Sequence, residues 1–131
     1  MSHSGVVLIK LGGSLITDKT RPESPRTEVI ERLAGEIARA AGTLPGGLVV
    51  GHGSGSFGHV AARQYGLAQG IRDAAQLPGV PHTQERAAAL HRIVTAALAA
   101  AGALPFSIAP SSCVVSASGR PVAFAAEPLR L

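Results

Sequence analysis

The sequence predicts an α/β fold in which buried strands alternate with helices. Two short apolar runs, residues 6–9 and 48–50, have the composition of strands that are covered on both faces of a sheet. Between them, apolar residues recur at helical spacing from Val29 to Ala41, and charged residues occupy the opposite face. We therefore expect the two strands to be joined by a packing helix.

Capping residues predict where the helix between the two strands, and the helix after the second strand, begin or end. Ser24 is a suitable N-cap and is followed by Pro25 at the first helical position, so we expect the first helix to begin there and to end at Gly42. The run 60–65 after the second strand has helical character and closes at Gly66.

The last third of the chain is predicted from alanine content and turn signals. A long alanine-rich helix is expected from residue 82 or 83 to residue 101, followed by a short strand over residues 106–108. A turn at residues 118–119 predicts a hairpin. The final residues, 127–131, have the pattern of a helix that has just begun, which suggests a truncated chain.

Composition limits the function classes. The 131 residues, 46% of them hydrophobic, suit one domain, and the 3% aromatic content leaves the core to aliphatic residues. The net charge of +4 comes without a basic block, which favours a small anionic ligand over a nucleic acid. One cysteine, no signal peptide and no membrane-spanning segment predict a cytoplasmic protein that binds no membrane. No cluster of residues has metal-ligand spacing.

A glycine-rich loop follows the second strand and is the main candidate site. Its glycines let the backbone adopt positive φ and approach a ligand closely, and a helix N-terminus follows, so free N–H groups favour an anion. A tight turn without a ligand is the alternative interpretation. We predict a phosphate site formed by Gly53, Ser54, Gly55, Gly58 and His59.

The three histidines in or near this site receive different interpretations. His59 is expected where the first free N–H groups of the helix point, and there its imidazole can donate a hydrogen bond to a phosphate oxygen. His52 is interpreted as a buried hydrogen-bonding residue rather than a ligand. His91 is interpreted as a surface or core residue of the long helix.

A second glycine loop follows the first strand. It consists of Gly12, Gly13 and Ser14 and is preceded by Lys10, while Lys19 brings another cation nearby. Ligands of α/β sheets gather at the carboxyl edge of the strands, so both glycine loops are expected to face one site. A solvent-exposed lysine is the alternative for each cation, and the P-loop pattern is not matched.

These motifs resemble the amino acid kinase superfamily and, within it, the isopentenyl phosphate kinases. The resemblance covers essentially the whole chain but only about the first half of the family's usual length. The segments that carry it are Ile-Lys-Leu-Gly-Gly-Ser at 9–14, Thr-Asp-Lys at 17–19, His-Gly-Ser-Gly-Ser-Phe-Gly-His at 52–59 and Ile-Ala-Pro-Ser-Ser at 108–112.

The resemblance implies an ATP-dependent kinase that converts isopentenyl phosphate to isopentenyl diphosphate in an alternative mevalonate route to isoprenoids. It implies a three-layer αβα sandwich, commonly a homodimer, with ATP as phosphoryl donor and Mg²⁺ carried with it. Residues 1–131 are expected to be the acceptor-binding N-terminal part. The nucleotide-binding C-terminal half is expected to be absent, so association with such a half is the alternative to a homodimer.

The resemblance also implies roles for individual residues. Lys10 is expected to contact the transferred phosphoryl group, and Lys19 to neutralise the reacting phosphates. Gly12 and Gly13, with Ser14 beside them, are expected to bind the nucleotide phosphates. His59 is expected to hold the acceptor phosphate beside the N–H groups of the 53–55 loop, and an apolar tail pocket is expected near the long helix.

Two other functions fit the same loops. A fosfomycin-type kinase acts on a phosphonate and differs in having a polar rather than an apolar tail pocket. A non-catalytic phosphate-binding half, completed by another chain, is the second alternative. A purely structural protein is ranked last, because two glycine loops with cations serve no packing purpose.

Overall fold

A computed structural model describes residues 5–129 of the chain. Within them, single 3₁₀ turns lie at Leu67–Gln69, Ala74–Gln76, Pro110–Ser112 and Glu127–Leu129. The longer elements are β1 (Val7–Leu11), α1 (Gly13–Ile16), α2 (Thr27–Ala41), β2 (Leu48–His52), α3 (Gly55–Gln64), α4 (Gly79–Ala100), β3 (Val114–Ala117) and β4 (Arg120–Phe124).

The two predicted apolar strands form a parallel pair. Val7 of β1 lies opposite Leu48 of β2, and Leu11 lies opposite His52 at the other end. The chain between them contains α2, the predicted packing helix. Because the strands are parallel and in register, their carboxyl ends and the two glycine loops leave the pair at the same edge.

The hydrophobic core lies between one face of this strand pair and the helices. Along β1, Leu11 is buried and Ile9 packs against the core, whereas Leu8, on the opposite face, is 77% exposed. Among residues 5–129 the expectation that both faces of β1 are covered is therefore not met. The buried core cluster comprises Leu11, Ile16, Ile30, Ala34, Ile37, Phe57, Leu90, Val94 and Leu98.

The predicted start of α2 is wrong by two residues. The helix begins at Thr27, and its N-cap is Arg26 rather than Ser24. Pro25 instead pairs with Thr17 in an isolated antiparallel bridge, and the Ser24 carbonyl accepts a hydrogen bond from the Asp18 N–H at 2.8 Å. Tertiary contacts thus hold the capping residues in the preceding turn. The predicted end at Gly42 is confirmed.

The helices α3 and α4 both begin earlier than predicted. α3 starts at Gly55 and ends where predicted, with Gly66 in the left-handed conformation at φ 63°. α4 starts at Gly79, and its first turn tolerates Pro81 because N–H groups of the first turn have no intrahelical acceptor. A side chain at position 79 would collide with Tyr65, the C-cap residue of α3, so glycine permits this close packing.

The C-terminal region is partly as predicted. β3 and β4 form the expected antiparallel hairpin, with positive φ at Ser118 and Gly119 in its turn. Residues 106–108 are not a strand: they have no pairing partner in the described chain, and Phe106 is 64% exposed. Where a final helix was expected over residues 127–131, the structure has a 3₁₀ turn at Glu127–Leu129. Residues 130 and 131 lie outside the described range.

None of the helices between residues 5 and 129 is both long enough and apolar enough to span a bilayer, including the 22-residue α4. Residues 1–4 lie outside the described range.

Leu90 provides a test of this core. It is fully buried in the middle of α4, whereas Leu77, just before that helix, is 52% exposed. We expect Leu90→Ala to lower the free energy of unfolding in urea by about 2–5 kcal/mol, because it removes buried methyl groups and leaves a cavity. Leu77→Ala is the matched control, with an expected change of at most about 0.5 kcal/mol. Equal losses would contradict the packing described here.

Candidate phosphate-binding site

The two glycine loops meet backbone to backbone at the carboxyl edge of β1 and β2. The Gly53 N–H donates a hydrogen bond to the Leu11 carbonyl at 2.9 Å, which joins the ends of the strands. A Cβ built on Gly13 would lie 2.6 Å from the Gly55 nitrogen, and one built on Gly53 would lie 2.9 Å from the Gly13 nitrogen. Only residues without a side chain permit this approach.

Thr17 fastens the two loops together. Its side chain is fully buried, and its hydroxyl donates to the Gly13 carbonyl at 2.6 Å while accepting from the Ser56 N–H at 3.0 Å. Gly55 has a φ of 50°, and a Cβ there would collide with the Thr17 hydroxyl. Thr17 thereby connects α1, after the first loop, with the first turn of α3, after the second.

The meeting point has unused hydrogen-bond donors. Among residues 5–129, the backbone N–H groups of Gly12 and Gly13 have no acceptor, and neither do those of Ser54 and Gly55. The last two precede and open the ten-residue α3, whose dipole favours negative charge at this end. Four free donors on two adjoining loops suit an anion with several oxygens, such as a phosphate.

Lys10 lies on the strand that leads into the first loop. It pairs in register with Gly51 of β2, and its side chain is exposed, as is that of Ser14. Within the described residues Lys10 takes part in no ion pair, so its ammonium group is available to a ligand. The structure thus places one predicted cation two residues before the glycine loop.

Lys19 lies in an exposed turn that is attached to the start of α3. The Ser24 N–H donates to the Ser56 hydroxyl oxygen at 3.1 Å, and Glu23 forms an ion pair with Arg86 of α4. These contacts fix the segment that carries Lys19. No hydrogen bond or ion pair joins Lys19 itself to the glycine loops in the described structure, so its role remains a prediction.

Asp18 is the carboxylate next to Lys19, and it is already engaged. Its side chain accepts hydrogen bonds from the Thr20 hydroxyl at 2.6 Å and the Thr20 N–H at 2.9 Å. These two bonds, with a smaller contribution from Arg21, lower the pKa of Asp18 from its ordinary value. The carboxylate is thus ionised at neutral pH and stabilises the turn, a role that does not require it to act as a base.

His59 does not lie where the sequence placed it. Because α3 begins at Gly55, His59 is in the second helical turn and not beside the first free N–H groups. Its side chain is exposed. His59 follows Gly55 by four residues, and positions four apart lie on one face of a helix, so His59 shares the face of α3 that carries Gly55.

Gly58 contributes spacing rather than a donor. Its N–H is directed at the Ser54 carbonyl at 3.4 Å, inside α3, so it is not one of the free donors, and the predicted role of Gly58 in phosphate binding stays a prediction. A Cβ at position 58 would lie 2.5 Å from the Ser54 hydroxyl oxygen, so glycine is needed for the helix to turn tightly around Ser54.

A chain of side-chain hydrogen bonds supports the second loop from behind. His52 contacts the Gly53 carbonyl through Nδ1 at 3.1 Å and His91 Nδ1 through Nε2 at 3.0 Å. His91 Nε2 contacts the Ser107 hydroxyl at 2.9 Å. His52 is thus a partly buried hydrogen-bonding residue, as predicted. Burial, and secondly the charge of His52, lowers the pKa of His91.

Sequence reasoning missed three of these residues. Thr17 lies four residues after Gly13, a spacing at which threonine bonds to a helical carbonyl, so a weak signal existed. His91 was interpreted only as a surface or core residue, and its partner Ser107 was assigned to a strand. No local signal reveals that pair, because 16 residues separate the two.

Gly13 and its neighbour Gly12 test the loop contact. A Cβ at Gly12 meets nothing within 4 Å, whereas a Cβ at Gly13 meets the backbone of Gly55. We expect Gly13→Ala to lower the free energy of unfolding by about 2 kcal/mol or more, and Gly12→Ala to change it by less than about 1 kcal/mol. Urea denaturation measures both, and equal values would refute the backbone contact.

The lowered pKa of His91 predicts a pH dependence of stability. Once the pH falls below the ordinary His pKa of 6.5, the unfolded chain binds more protons at this position than the folded chain does. The contribution of neutral His91 to the free energy of unfolding is therefore complete above pH 6.5 and is lost as the pH falls through the folded pKa. We expect His91→Gln to flatten the fall in unfolding free energy between about pH 7.5 and about pH 5.5. Arg92→Gln, the exposed neighbour, should keep the parental slope; an unchanged slope in His91→Gln would contradict the assignment.

Known proteins with similar sequences include a curated isopentenyl phosphate kinase from Methanothermobacter thermautotrophicus. It is 36% identical over 121 residues, which cover 88% of this chain and 44% of the relative. A solved structure described as that of an isopentenyl phosphate kinase superposes with a TM-score of 0.85 and 33% identity, covering 96% of this chain and 52% of the other. The Thermoplasma acidophilum isopentenyl phosphate kinase product complex gives 0.80 and 28%, covering 96% and 50%.

These comparisons confirm the predicted fold class and the resemblance drawn from the motifs. The chain spans about half the length of the curated relative and of the solved structures it matches. The profile of the amino acid kinase family matches residues 5–129, which is the whole described range. The chain belongs to the amino acid kinase family.

Proposed function

We propose that this chain is the acceptor-binding part of an ATP-dependent kinase that phosphorylates isopentenyl phosphate to isopentenyl diphosphate. The observation that carries the proposal is the contact between the two glycine loops, which gathers four free N–H groups at one edge of the strand pair. The similarity to isopentenyl phosphate kinases supports the choice of acceptor.

The proposed reaction needs charge neutralisation more than proton transfer. A phosphate monoester has a second pKa of about 6, so the acceptor oxygen is largely ionised at neutral pH without a general base. That oxygen attacks the γ-phosphorus of ATP and forms a new P–O bond. The bond from this phosphorus to the β–γ bridging oxygen breaks, and ADP leaves with the electron pair. Positioning and cancellation of charge on the transferring group supply the catalysis.

The described residues divide this work between them. The N–H groups of Ser54 and Gly55, with the imidazole of His59 above them, hold the acceptor phosphate. Those of Gly12 and Gly13 face the nucleotide phosphates. The exposed ammonium group of Lys10 contacts the transferring phosphoryl group, and Lys19, with the magnesium ion bound to ATP, neutralises the remaining charge.

A second protein part is proposed to complete the site. The face of β1 that carries Leu8 is open, and the chain spans about half the length of its relatives. A C-terminal half, in the same or another polypeptide, would cover this face and supply most of the nucleotide pocket. By the same resemblance we propose a cytoplasmic, homodimeric enzyme of the mevalonate-linked isoprenoid route. The chain alone would then bind the acceptor but hold ATP poorly.

Calorimetric titration of the chain tests the proposal directly. Isopentenyl phosphate, fosfomycin and MgATP are titrated separately at constant ionic strength, with inorganic phosphate as the reference anion. We expect isopentenyl phosphate to bind more tightly than the other three. Stronger binding of fosfomycin would favour a phosphonate kinase, and no binding by any ligand would contradict an acceptor site within this chain.

His59 provides the residue-level prediction. We expect His59→Ala to weaken isopentenyl phosphate binding about tenfold, because it removes a hydrogen bond to a charged oxygen worth about 1.5 kcal/mol. Arg63→Ala is the matched control: it removes an exposed cation from the last turn of the same helix and should change affinity less than about twofold. Equal losses in both variants would indicate a general effect of charge and remove His59 from the site.

A further inference from the structure

The hydrogen-bond chain behind the second loop has a direction. The Gly53 carbonyl can only accept, so His52 Nδ1 must carry a proton and donate. In the neutral ring His52 Nε2 then accepts, and His91 Nδ1 is the donor across the 3.0 Å contact. His91 Nε2 accepts in turn, which leaves the Ser107 hydroxyl to donate. Each donor in the neutral chain therefore has one acceptor.

This series of hydrogen bonds ends at the Gly53 carbonyl, which belongs to the peptide unit between Gly53 and Ser54 in the candidate site. A peptide unit is planar and trans, so the Gly53 carbonyl and the Ser54 N–H point in opposite directions. The bond from His52 fixes the carbonyl on the side of the histidines. The Ser54 N–H, which has no acceptor among residues 5–129, is consequently aimed away from them.

The histidine pair is also held by its surroundings. The ring centroids are 5.2 Å apart and the planes are 20° from parallel, so the rings lie side by side and the bond between their nitrogens restricts rotation of His52. His91 lies on α4, and the residue before it, Leu90, is fully buried in the core. The orientation of the Gly53 carbonyl is thus set from a rigid helix rather than by the glycine loop, whose backbone is intrinsically permissive.

We propose that His91 is a positioning residue for phosphate binding: through His52 it holds the 53–54 peptide with the Ser54 N–H aimed at the acceptor phosphate. This inference rests on the proposed function, because it assumes that the 53–55 loop binds a phosphate. His91 acts without contacting the ligand. Its effect is to remove the freedom of one peptide unit before the phosphate arrives, which lowers the cost of ordering the loop on binding.

The test compares isopentenyl phosphate affinity by calorimetry in four variants of the chain. His91→Ala breaks the series of hydrogen bonds from Ser107 to Gly53 at its centre. We expect about fivefold to tenfold weaker binding, the range of one ordinary hydrogen bond. His91→Gln retains a side-chain N–H that can donate to His52 and should restore most of the affinity. Arg92→Ala, at the exposed neighbouring position of α4, is the control and should bind like the parent.

Ser107→Ala keeps the test decisive if His91→Ala does not fold. Ser107 is exposed, so its replacement leaves the core intact while removing the donor to His91 Nε2. We expect a smaller loss of affinity, about twofold to threefold. Full parental affinity in every folded variant would overturn the positioning role while leaving the proposed function in place. Failure of the parent chain to bind would overturn the proposed function, and this inference with it.

The histidine tautomers give a readout that does not depend on binding. In ¹⁵N NMR spectra of the parent chain above about pH 7.5 we expect the neutral His52 ring to be protonated at Nδ1. In His91→Ala the His52 ring is free to rotate away from the Gly53 carbonyl, so both the partner of Nε2 and the constraint on Nδ1 are lost, and a mixture of tautomers should appear. A parental His52 protonated at Nε2 would overturn the direction of the chain and hence the proposed control of the Gly53 carbonyl.

Discussion

The contact between Gly13 and Gly55, fastened by the buried hydroxyl of Thr17, is the constraint on which the rest of the site depends. The strands β1 and β2 bring two loops to the same edge, but parallel pairing alone leaves those loops free to separate. The Thr17 hydroxyl satisfies one group from each side, the Gly13 carbonyl and the Ser56 N–H. Loss of that hydroxyl would leave the buried Ser56 N–H without a partner, at about 1–3 kcal/mol, whereas the Gly13 carbonyl would keep the hydrogen bond from the Thr17 N–H at 2.9 Å.

This constraint explains why the site consists mainly of backbone. Where two backbone segments approach as closely as those at Gly13 and Gly55, no side chain fits between them. The available hydrogen-bond donors are therefore peptide N–H groups. Cationic side chains then stand around the loops, as Lys10 does on its strand. Such an arrangement suits a reaction in which charge must be held and neutralised. The proposed support from His91 fixes the orientation of the 53–54 peptide, which the glycine backbone leaves free.

Much of this arrangement could be predicted from residues close in sequence. The apolar strands, the hairpin turn and both glycine loops have local signals, and parallel pairing alone places the loops at one edge. The features that the sequence did not predict are determined by tertiary contacts between residues that are well separated in the chain. The Ser24 cap was lost to a bridge between Thr17 and Pro25, and α3 begins at Gly55 because Thr17 holds its first turn. The pairing of His91 with Ser107 has no periodicity to reveal it.

The central claim is that the two glycine loops form one site, with the acceptor phosphate on the 53–55 loop and the nucleotide phosphates on the adjoining 12–13 loop, and amide chemical shifts test it most directly. Isopentenyl phosphate is titrated into the ¹⁵N-labelled chain, and the amide signals of Gly12 and Gly13 are followed together with those of Ser54 and Gly55. The account predicts that Ser54 and Gly55 shift most, that the adjoining Gly12 and Gly13 shift less, and that all four saturate with a single dissociation constant, while Gly119 in the turn of the β3–β4 hairpin does not move. Shifts confined to one loop, or spread evenly over exposed amides, would contradict it.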